Sequence, residues 1–167
     1  MSSDIARYEA PSTAEVTQGA GAIAMLIENT PKLLALNLNT VGYASRDVDD
    51  FFRPLGSVTA KVKGGYSVQC YNEAFDTALN DHATRRDMEV SEVLDEADFV
   101  VLHVPFYKMP ITALKKVLLH HKGLKEEAAE AYMEERGVRN SIEPTREIGN
   151  IYSGSAYMAL AFLLKQQ

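Results

Sequence analysis

The stretch of residues 97–109 constrains the fold of this chain more than any other. Residues 99–102 (Phe-Val-Val-Leu) form a continuous apolar run of the length typical of a buried strand. The run ends at His103, and Pro105 then interrupts any further strand because proline lacks a backbone N–H and has a fixed φ. The apolar periodicity of residues 111–121 predicts a helix, so we expect a central strand, a short turn and a helix in succession.

His103 is therefore predicted at the C-terminal end of a central strand, where open α/β sheets bind their ligands. A histidine at that place can transfer protons near neutral pH. The alternative is a core histidine whose ring is satisfied by a backbone carbonyl. The position alone favours neither interpretation.

Composition limits the kinds of protein that this chain can be. Its 167 residues suffice for one domain with a hydrophobic core, and its net charge of -6 argues against a nucleic-acid partner. The single cysteine excludes an internal disulfide. No apolar run reaches membrane-spanning length and the first residues do not resemble a signal peptide, so we expect a cytoplasmic protein without a membrane partner.

Residues 1–65 are predicted to hold two strands and a long loop. Small residues from Gly19 lead into an apolar run, so residues 19–27 are predicted as a buried strand. Leucines alternate with small or polar residues over 33–39, which predicts a half-buried strand that pairs back as a hairpin. Turn residues and scattered charges over 40–65 are typical of a long, partly ordered loop.

The rest of the chain is predicted to be mainly helical. Ser67 can cap a helix that runs to about Arg86 and carries an apolar stripe at helical spacing. Residues 90–96 suit a short helix or a loop. Further helices are expected at 114–121, which Gly123 ends, at 125–136 and at 156–164, with a loop over 137–147.

Six short motifs occur along the chain in a fixed order. They are residues 3–8 (Ser-Asp-Ile-Ala-Arg-Tyr), 17–22 (Thr-Gln-Gly-Ala-Gly-Ala), 50–54 (Asp-Phe-Phe-Arg-Pro), 65–71 (Gly-Tyr-Ser-Val-Gln-Cys-Tyr), 103–109 (His-Val-Pro-Phe-Tyr-Lys-Met) and 149–155 (Gly-Asn-Ile-Tyr-Ser-Gly-Ser). Together they resemble the hydroxymethylglutaryl-CoA (HMG-CoA) synthase family of the thiolase-like superfamily, and the resemblance covers nearly the whole chain.

The resemblance implies an α/β fold, part of a thiolase-like αβαβα layered architecture that a partner chain completes. By this resemblance, residues 1–167 form a single domain that is part of the complete thiolase-like fold. In this division residues 1–40 end the N-terminal half, residues 41–65 form a loop, and residues 66–167 supply helices and strands of the C-terminal half.

The family condenses acetyl-CoA with acetoacetyl-CoA, and the resemblance implies a role for each matching residue. His103 corresponds to the histidine that orients and polarises the acetoacetyl thioester, and Asp4 and Asp50 to acids that hold the active-site geometry. The implied substrate-binding residues are Asn150, Thr17, Tyr8, Phe51 and Lys108, the last near the CoA phosphates. On their own, Asn150 would be interpreted as a turn residue, Thr17 as a local turn hydroxyl, and Asp50 as a solvated loop charge.

The family's nucleophilic cysteine and catalytic glutamate have no counterpart in this sequence. Cys70 matches a helix cysteine that is not the nucleophile, and we expect it to be a small core residue. The resemblance therefore implies a partner subunit that carries the cysteine and the glutamate, in a heteromer or a dimer of heterodimers. No cofactor or metal is expected, since acetyl-CoA and acetoacetyl-CoA are substrates.

Several functions remain compatible with these residues. The first is a subunit of a split HMG-CoA synthase. A variant acts in polyketide β-branching with an acyl carrier protein in place of CoA. Pro110, Ile111 and Thr112, which stand where bacterial relatives carry lysines, favour this variant, whereas residues 65–71 resemble the mevalonate-pathway members more closely. The others are a non-catalytic scaffold for a thiolase-like partner and a piece with no independent role. Neither the partner nor the source of the family's C-terminal Gly-Ser-Gly loop follows from the sequence.

Overall fold

Helices dominate the architecture, which a computed structural model describes for residues 1–166. The strands are β1 (Ser2–Ala6), β2 (Gly19–Ile23), β3 (Phe51–Phe52) and β4 (Lys61–Val62). The helices are α1 (Gly64–Arg85), α2 (Val90–Glu96), α3 (Lys108–Lys122), α4 (Glu126–Glu135), α5 (Val138–Ile142), α6 (Pro144–Ile148) and α7 (Gly154–Gln166). Short 3₁₀ turns lie at Glu15–Thr17 and Leu38–Thr40. None of the helices is long and apolar enough to span a membrane over residues 1–166.

The main hydrophobic core lies among α1 to α5 and α7. Helix α3 shows why it forms, because Ile111, Leu114, Val117 and Leu118 recur at helical spacing and are all buried. The helix ends where predicted, at Gly123, whose φ of 67° is the left-handed conformation that glycine adopts without a Cβ penalty. Residues 99–104 cross this core, and Leu102 and Val104 are buried in it.

A second, small core forms where the two strand pairs meet. Strands β1 and β2 pair antiparallel, with Asp4 opposite Gly21, and β3 pairs antiparallel with β4. A parallel bridge between Tyr8 and Ala60 joins the two ribbons, and both residues are buried there. This arrangement places the β1 strand and the Phe51 turn next to each other.

The structure corrects two predictions in the N-terminal part. The strand predicted over 19–27 ends at Ile23. Residues 33–39 form no strand, and their leucines are exposed, Leu33 by 81% and Leu36 by 75%. Alternation alone could not make a strand there, because no segment of residues 1–166 offers the backbone partners of a ladder.

Local signals set several helix boundaries differently from the predictions. Helix α1 begins at Gly64, so Ser67 lies within its first turn and does not cap it. The predicted loop over 137–147 holds two short helices, α5 and α6, which Gly137 and Pro144 start. The predictions for α2, for the C-terminal end of α3 and for both ends of α4 agree with the structure to within a few residues. Helix α3 begins at Lys108, earlier than the predicted start at 114.

The predicted central strand before His103 is not formed within residues 1–166. The segment of residues 97–104 is extended but takes part in no ladder. Its anchor to the helices includes the Val100 N–H, which donates to the Arg136 carbonyl oxygen at 3.0 Å. The prediction of a buried run was also wrong in part, because of residues 99–102 only Leu102 is buried and Phe99 is 47% exposed. Strand pairing needs a neighbouring strand, which these residues do not supply.

Candidate functional site

A cleft of about 610 Å³ opens between β1, the β3 turn, the 97–104 segment and the start of α7. Its walls are formed by six residues that are distant in sequence: Asp4, Phe51, Arg53, His103, Tyr152 and Ser153. Three of them, Asp4, Phe51 and His103, are sequence-predicted site residues. A concave site lined by convergent polar and aromatic groups is the usual form of a small-molecule site.

His103 lies at the end of the 97–104 segment, with its ring exposed towards the cleft. The Tyr71 phenol donates a hydrogen bond of 2.7 Å to the His103 carbonyl oxygen, and the two rings stack with centroids 6.4 Å apart. One side of the imidazole faces the cleft, and protein atoms surround the rest of the ring. This partial burial disfavours the charged form and lowers the pKa of His103. The ring is therefore predominantly neutral at pH 7 and can donate or accept a hydrogen bond.

Asp4 reaches the cleft from β1. Alternation along the strand directs successive side chains to opposite faces, and the Asp4 Oδ1 accepts a hydrogen bond of 2.8 Å from the Ile5 N–H. A second cleft of about 640 Å³ adjoins the first, and Asp4 and Arg53 line both. The Asp4 carboxylate and the Arg53 guanidinium therefore lie where the two clefts adjoin.

The Phe51 and Tyr152 rings line one wall of the cleft, and the buried Tyr8 ring packs behind them against Phe51. The Phe51 ring lies 5.2 Å from the Tyr152 ring and 6.5 Å, edge to face, from the Tyr8 ring. Burial first, and the neighbouring Tyr8 second, raise the pKa of Tyr152 to about 12, so its phenol stays protonated. Tyr152 also has a φ of 50°, a left-handed conformation that is uncommon for a bulky residue and that is held here by the surrounding turn.

Asn150 lies behind this wall and is only 4% exposed. Its Nδ2 is 3.4 Å from the Tyr8 phenol oxygen, and its Oδ1 accepts hydrogen bonds from the Tyr152 N–H and the Ser155 hydroxyl. The Asn150 backbone N–H donates to the Thr17 carbonyl oxygen at 2.9 Å. The turn before α7 is thereby fastened to the start of β2.

Three other predicted residues do not line the cleft. The Thr17 hydroxyl donates to the Ala14 carbonyl at 2.8 Å, as a local turn hydroxyl does. Asp50 precedes Phe51, and its carbonyl oxygen accepts a hydrogen bond of 2.8 Å from the Lys63 N–H. Lys108 is exposed at the first turn of α3.

The sequence reasoning did not select Arg53, Tyr152 and Ser153, which also line the cleft. Each lies within a motif that had been identified, Arg53 beside the Phe51 turn and the other two after Asn150. The motif positions were therefore the available signal. What they could not show is which side chains of each motif face the same cavity.

The cleft can polarise and orient a ligand with a carbonyl group. The neutral His103 imidazole, the Arg53 guanidinium and the hydroxyls of Tyr152 and Ser153 offer hydrogen bonds to an oxygen that gains charge. The cleft holds no cysteine, since Cys70 lies on α1, where its Sγ is 3.9 Å from the Arg46 guanidinium. Among residues 1–166 no group of three histidine, cysteine or acidic side chains could bind a metal ion.

Comparisons with known proteins identify the family to which this chain belongs. The sequence model of the hydroxymethylglutaryl-coenzyme A synthase C-terminal region matches residues 37–136. The hydroxymethylglutaryl-CoA synthase of Enterococcus faecalis is 34% identical over 165 residues, which cover 99% of this chain and 40% of that protein. The chain thus spans about two fifths of this curated relative.

Two solved structures superpose closely on the chain. A structure titled MvaS in complex with 3-hydroxy-3-methylglutaryl coenzyme A has a TM-score of 0.83 and 33% identity, covering 96% of this chain and 43% of that one. The HMG synthase of the curacin biosynthetic pathway has a TM-score of 0.85 and 25% identity, covering 96% and 38%. The expected thiolase-like fold, of which this chain holds a part, is confirmed by these structures. The chain belongs to the hydroxymethylglutaryl-CoA synthase family.

Proposed function

We propose that this chain supplies the histidine-bearing part of an HMG-CoA synthase active site, which condenses acetyl-CoA with acetoacetyl-CoA. The observation that carries the proposal is the cleft in which His103, Asp4 and Phe51 converge from separate family motifs. In the same proposal the nucleophilic cysteine and the catalytic glutamate come from polypeptide outside these 167 residues. The CoA thioesters are substrates, and no cofactor takes part.

His103 is proposed to hydrogen-bond the acetoacetyl thioester. The N–H of its neutral ring can donate a hydrogen bond to the oxygen that gains charge as the acetyl enolate adds to the neighbouring ketone. Asp4, on β1, is proposed to hold the geometry of the site with Asp50, which precedes Phe51. These two carboxylates would orient groups without taking part in bond formation.

The remaining predicted residues are proposed to bind the substrate. Phe51 and Tyr8 supply apolar ring surface against the acyl group, and Asn150 supplies an amide N–H for an acyl oxygen. Thr17 supports the Asn150 turn through its carbonyl oxygen. Lys108 is exposed on α3 and would meet the CoA phosphates with a flexible ammonium.

The absence of a strand ladder along residues 97–104 supports the need for additional polypeptide. Within residues 1–166 the segment belongs to no sheet, and its backbone is held by single bonds such as that of the Val100 N–H to the Arg136 carbonyl. The free edge of β1 and the exposed Leu26 and Leu36 also leave apolar and hydrogen-bonding surface uncovered. Polypeptide that carries the nucleophile would pair with these strands as it completes the site.

A second candidate function is the β-branching reaction on a carrier-bound polyketide. It is favoured by the likeness to the curacin-pathway HMG synthase, which has also been solved in complex with acetyl donor-ACP. The first two turns of α3 also favour this reaction, because they hold Pro110, Ile111 and Thr112 where the resemblance leads us to expect lysines for CoA.

The test uses this chain copurified with the polypeptide that carries the cysteine and the glutamate. Consumption of acetoacetyl-CoA is followed after addition of acetyl-CoA, and the assay is repeated with an acyl-carrier-protein thioester in place of each. His103→Ala is expected to lower kcat by about 100-fold or more, the usual effect of losing a group that stabilises developing charge. His120→Ala is the matched control, because His120 is an exposed histidine of α3 outside the cleft.

Each outcome of this assay is informative. Turnover with CoA thioesters supports the synthase, and turnover with carrier-bound thioesters alone supports the β-branching reaction. A copurified assembly with no turnover on either would point to a scaffold role. Activity of His103→Ala within a few-fold of the His120→Ala control would remove His103 from the chemistry.

A further inference from the structure

The side-chain amide of Asn150 is held in one orientation. Its Oδ1 lies 2.8 Å from the Tyr152 backbone nitrogen and 3.3 Å from the Ser155 Oγ. A backbone N–H can only donate, so the amide atom that faces it is the oxygen. The Asn150 NH₂ group therefore points the other way, towards the Tyr8 phenol oxygen at 3.4 Å.

Ser155 holds this orientation through a hydroxyl with two partners. Its Oγ accepts a hydrogen bond of 3.2 Å from the Ile151 N–H, which leaves its own proton for the Asn150 Oδ1. The side chain is only 2% exposed, so water cannot replace either bond. Ser155 lies in the first turn of α7, and a hydroxyl on a helix is held more rigidly than one on a loop.

We infer that Ser155 is a positioning residue for the acyl-binding amide, which it fixes as a hydrogen-bond donor. The inference rests on the proposed function, in which the Asn150 NH₂ group meets an acyl oxygen. Ser155 does not line the cleft and acts only through Asn150. Without the Ser155 hydroxyl, the amide keeps one of the two donors that hold its oxygen, and the oxygen can turn to the side on which the NH₂ group now faces Tyr8.

Ser155→Ala in the active assembly tests this role. We expect kcat to fall by roughly tenfold while KM changes by less than about twofold, because a misplaced donor weakens the transition state more than binding. Ser141→Ala is the matched control. Ser141 is also buried, 1% exposed, but its hydroxyl donates to the Val138 carbonyl at 2.9 Å, away from Asn150.

A double-mutant cycle separates positioning from general packing. In an Asn150→Ala background, Ser155→Ala is expected to lower kcat no further, since the group that it positions is already gone. Independent, multiplicative effects of the two changes would overturn the inference. So would equal losses of kcat in Ser155→Ala and Ser141→Ala.

A spectroscopic measurement keeps the inference testable without turnover. With this chain ¹⁵N-labelled in the assembly, the Asn150 side-chain NH₂ protons should exchange slowly with solvent in the wild type and in Ser141→Ala. Faster exchange in Ser155→Ala alone would support the inference, and unchanged exchange would overturn it. An assembly that shows this pattern but no synthase activity would reject the proposed function and leave the positioning of Asn150 intact.

Discussion

The phenol of Tyr71 donates a hydrogen bond of 2.7 Å to the backbone carbonyl oxygen of His103. Tyr71 lies on α1, whereas His103 ends the 97–104 segment, so one bond ties the longest helix to the candidate catalytic histidine. The His103 carbonyl oxygen takes part in no strand ladder within residues 1–166, and the Tyr71 phenol supplies its hydrogen-bond donor. Burial raises the pKa of Tyr71, so the phenol remains a donor at neutral and moderately alkaline pH.

Tyr71→Phe removes this hydrogen bond and keeps the ring. We expect the free energy of unfolding to fall by about 1 kcal/mol, the usual contribution of one such bond. We also expect the His103 imidazole resonances to shift, because the backbone that carries the ring loses its support. Urea unfolding and NMR of the histidine side chains measure the two effects.

Tyr132→Phe is the control for that experiment. It removes a similar bond of 2.7 Å, from the Tyr132 phenol to the Leu94 carbonyl oxygen, elsewhere in the helical core. A comparable loss of stability with unchanged His103 resonances is expected. If the His103 resonances moved equally in both variants, Tyr71 would have no specific role at the site.

The lowered pKa of His103 should make the stability of the folded protein depend on pH. Burial lowers its pKa below the ordinary value of 6.5. Between the folded and the unfolded pKa the unfolded chain binds more protons, so folding loses stability as the pH falls below about 6.5. The NMR titration midpoint of His103 should lie below that value, and His103→Gln should flatten this part of the stability curve. A midpoint at or above 6.5 would contradict the prediction.

Gly149→Ala should be strongly destabilising. Gly149 has a φ of 77°, and a Cβ built there would lie 2.0 Å from the Gln18 carbonyl oxygen. The close approach fastens the Asn150 turn to β2, so we expect a loss of about 3 kcal/mol or more in the free energy of unfolding. Gly123→Ala is the control, with a φ of 67° but no heavy atom within 4 Å of the added Cβ.

That control isolates the conformational contribution. Gly123→Ala should cost only about 1 kcal/mol, the ordinary penalty for a left-handed residue with a side chain. Both variants are measured by thermal and urea unfolding. Equal losses would mean that the contact with Gln18 relaxes, and that the two segments are not held together by close packing.

Glu130→Gln should weaken the link between α3, α4 and α5. Glu130 is paired with Arg139 and Lys115, and the pKa of its carboxyl is lowered, first by Arg139 and then by Lys115. The stabilisation is present above the ordinary glutamate pKa and is lost as the pH falls through the lower folded value. Because the Glu130 side chain is 38% exposed, we expect no more than about 1 kcal/mol at pH 7.

The matched variant for this ion-pair cluster is Glu127→Gln. Glu127 lies on the same helix and has no ion pair within residues 1–166. Stability measured by urea unfolding should differ more between the two variants at pH 7 than at pH 3.5, because the contribution of Glu130 declines as the pH falls below the ordinary glutamate pKa. A Glu130→Gln protein as stable as Glu127→Gln at pH 7 would show that the cluster contributes nothing.

Local sequence signals predicted most of the helices, because each signal acts over one or two turns. The periodic apolar residues of α3 and the left-handed Gly123 are examples, and both lie where expected. The failures are long-range. The alternating leucines of residues 33–39 and the apolar run before His103 both suit strands, but a strand forms only where another backbone pairs with it.

The candidate site was predicted in part. Family motifs directed attention to His103, Asp4 and Phe51, which the fold brings to one cleft. Arg53 and Tyr152 were passed over because a motif gives residue order without the direction of each side chain. The buried position of Asn150 behind the tyrosines was equally beyond the sequence, since it depends on contacts across 142 positions.

The sequence by itself determined the family, most helices and the residue types available for chemistry. These properties are encoded by neighbouring residues or by short ordered motifs. The tertiary structure alone decided which groups share the cleft, that Tyr71 supports the His103 backbone, and that Ser155 and the Tyr152 N–H orient the Asn150 amide. The physical reason is that hydrogen-bond partners and desolvation depend on distance in space, which chain folding sets among residues far apart in sequence.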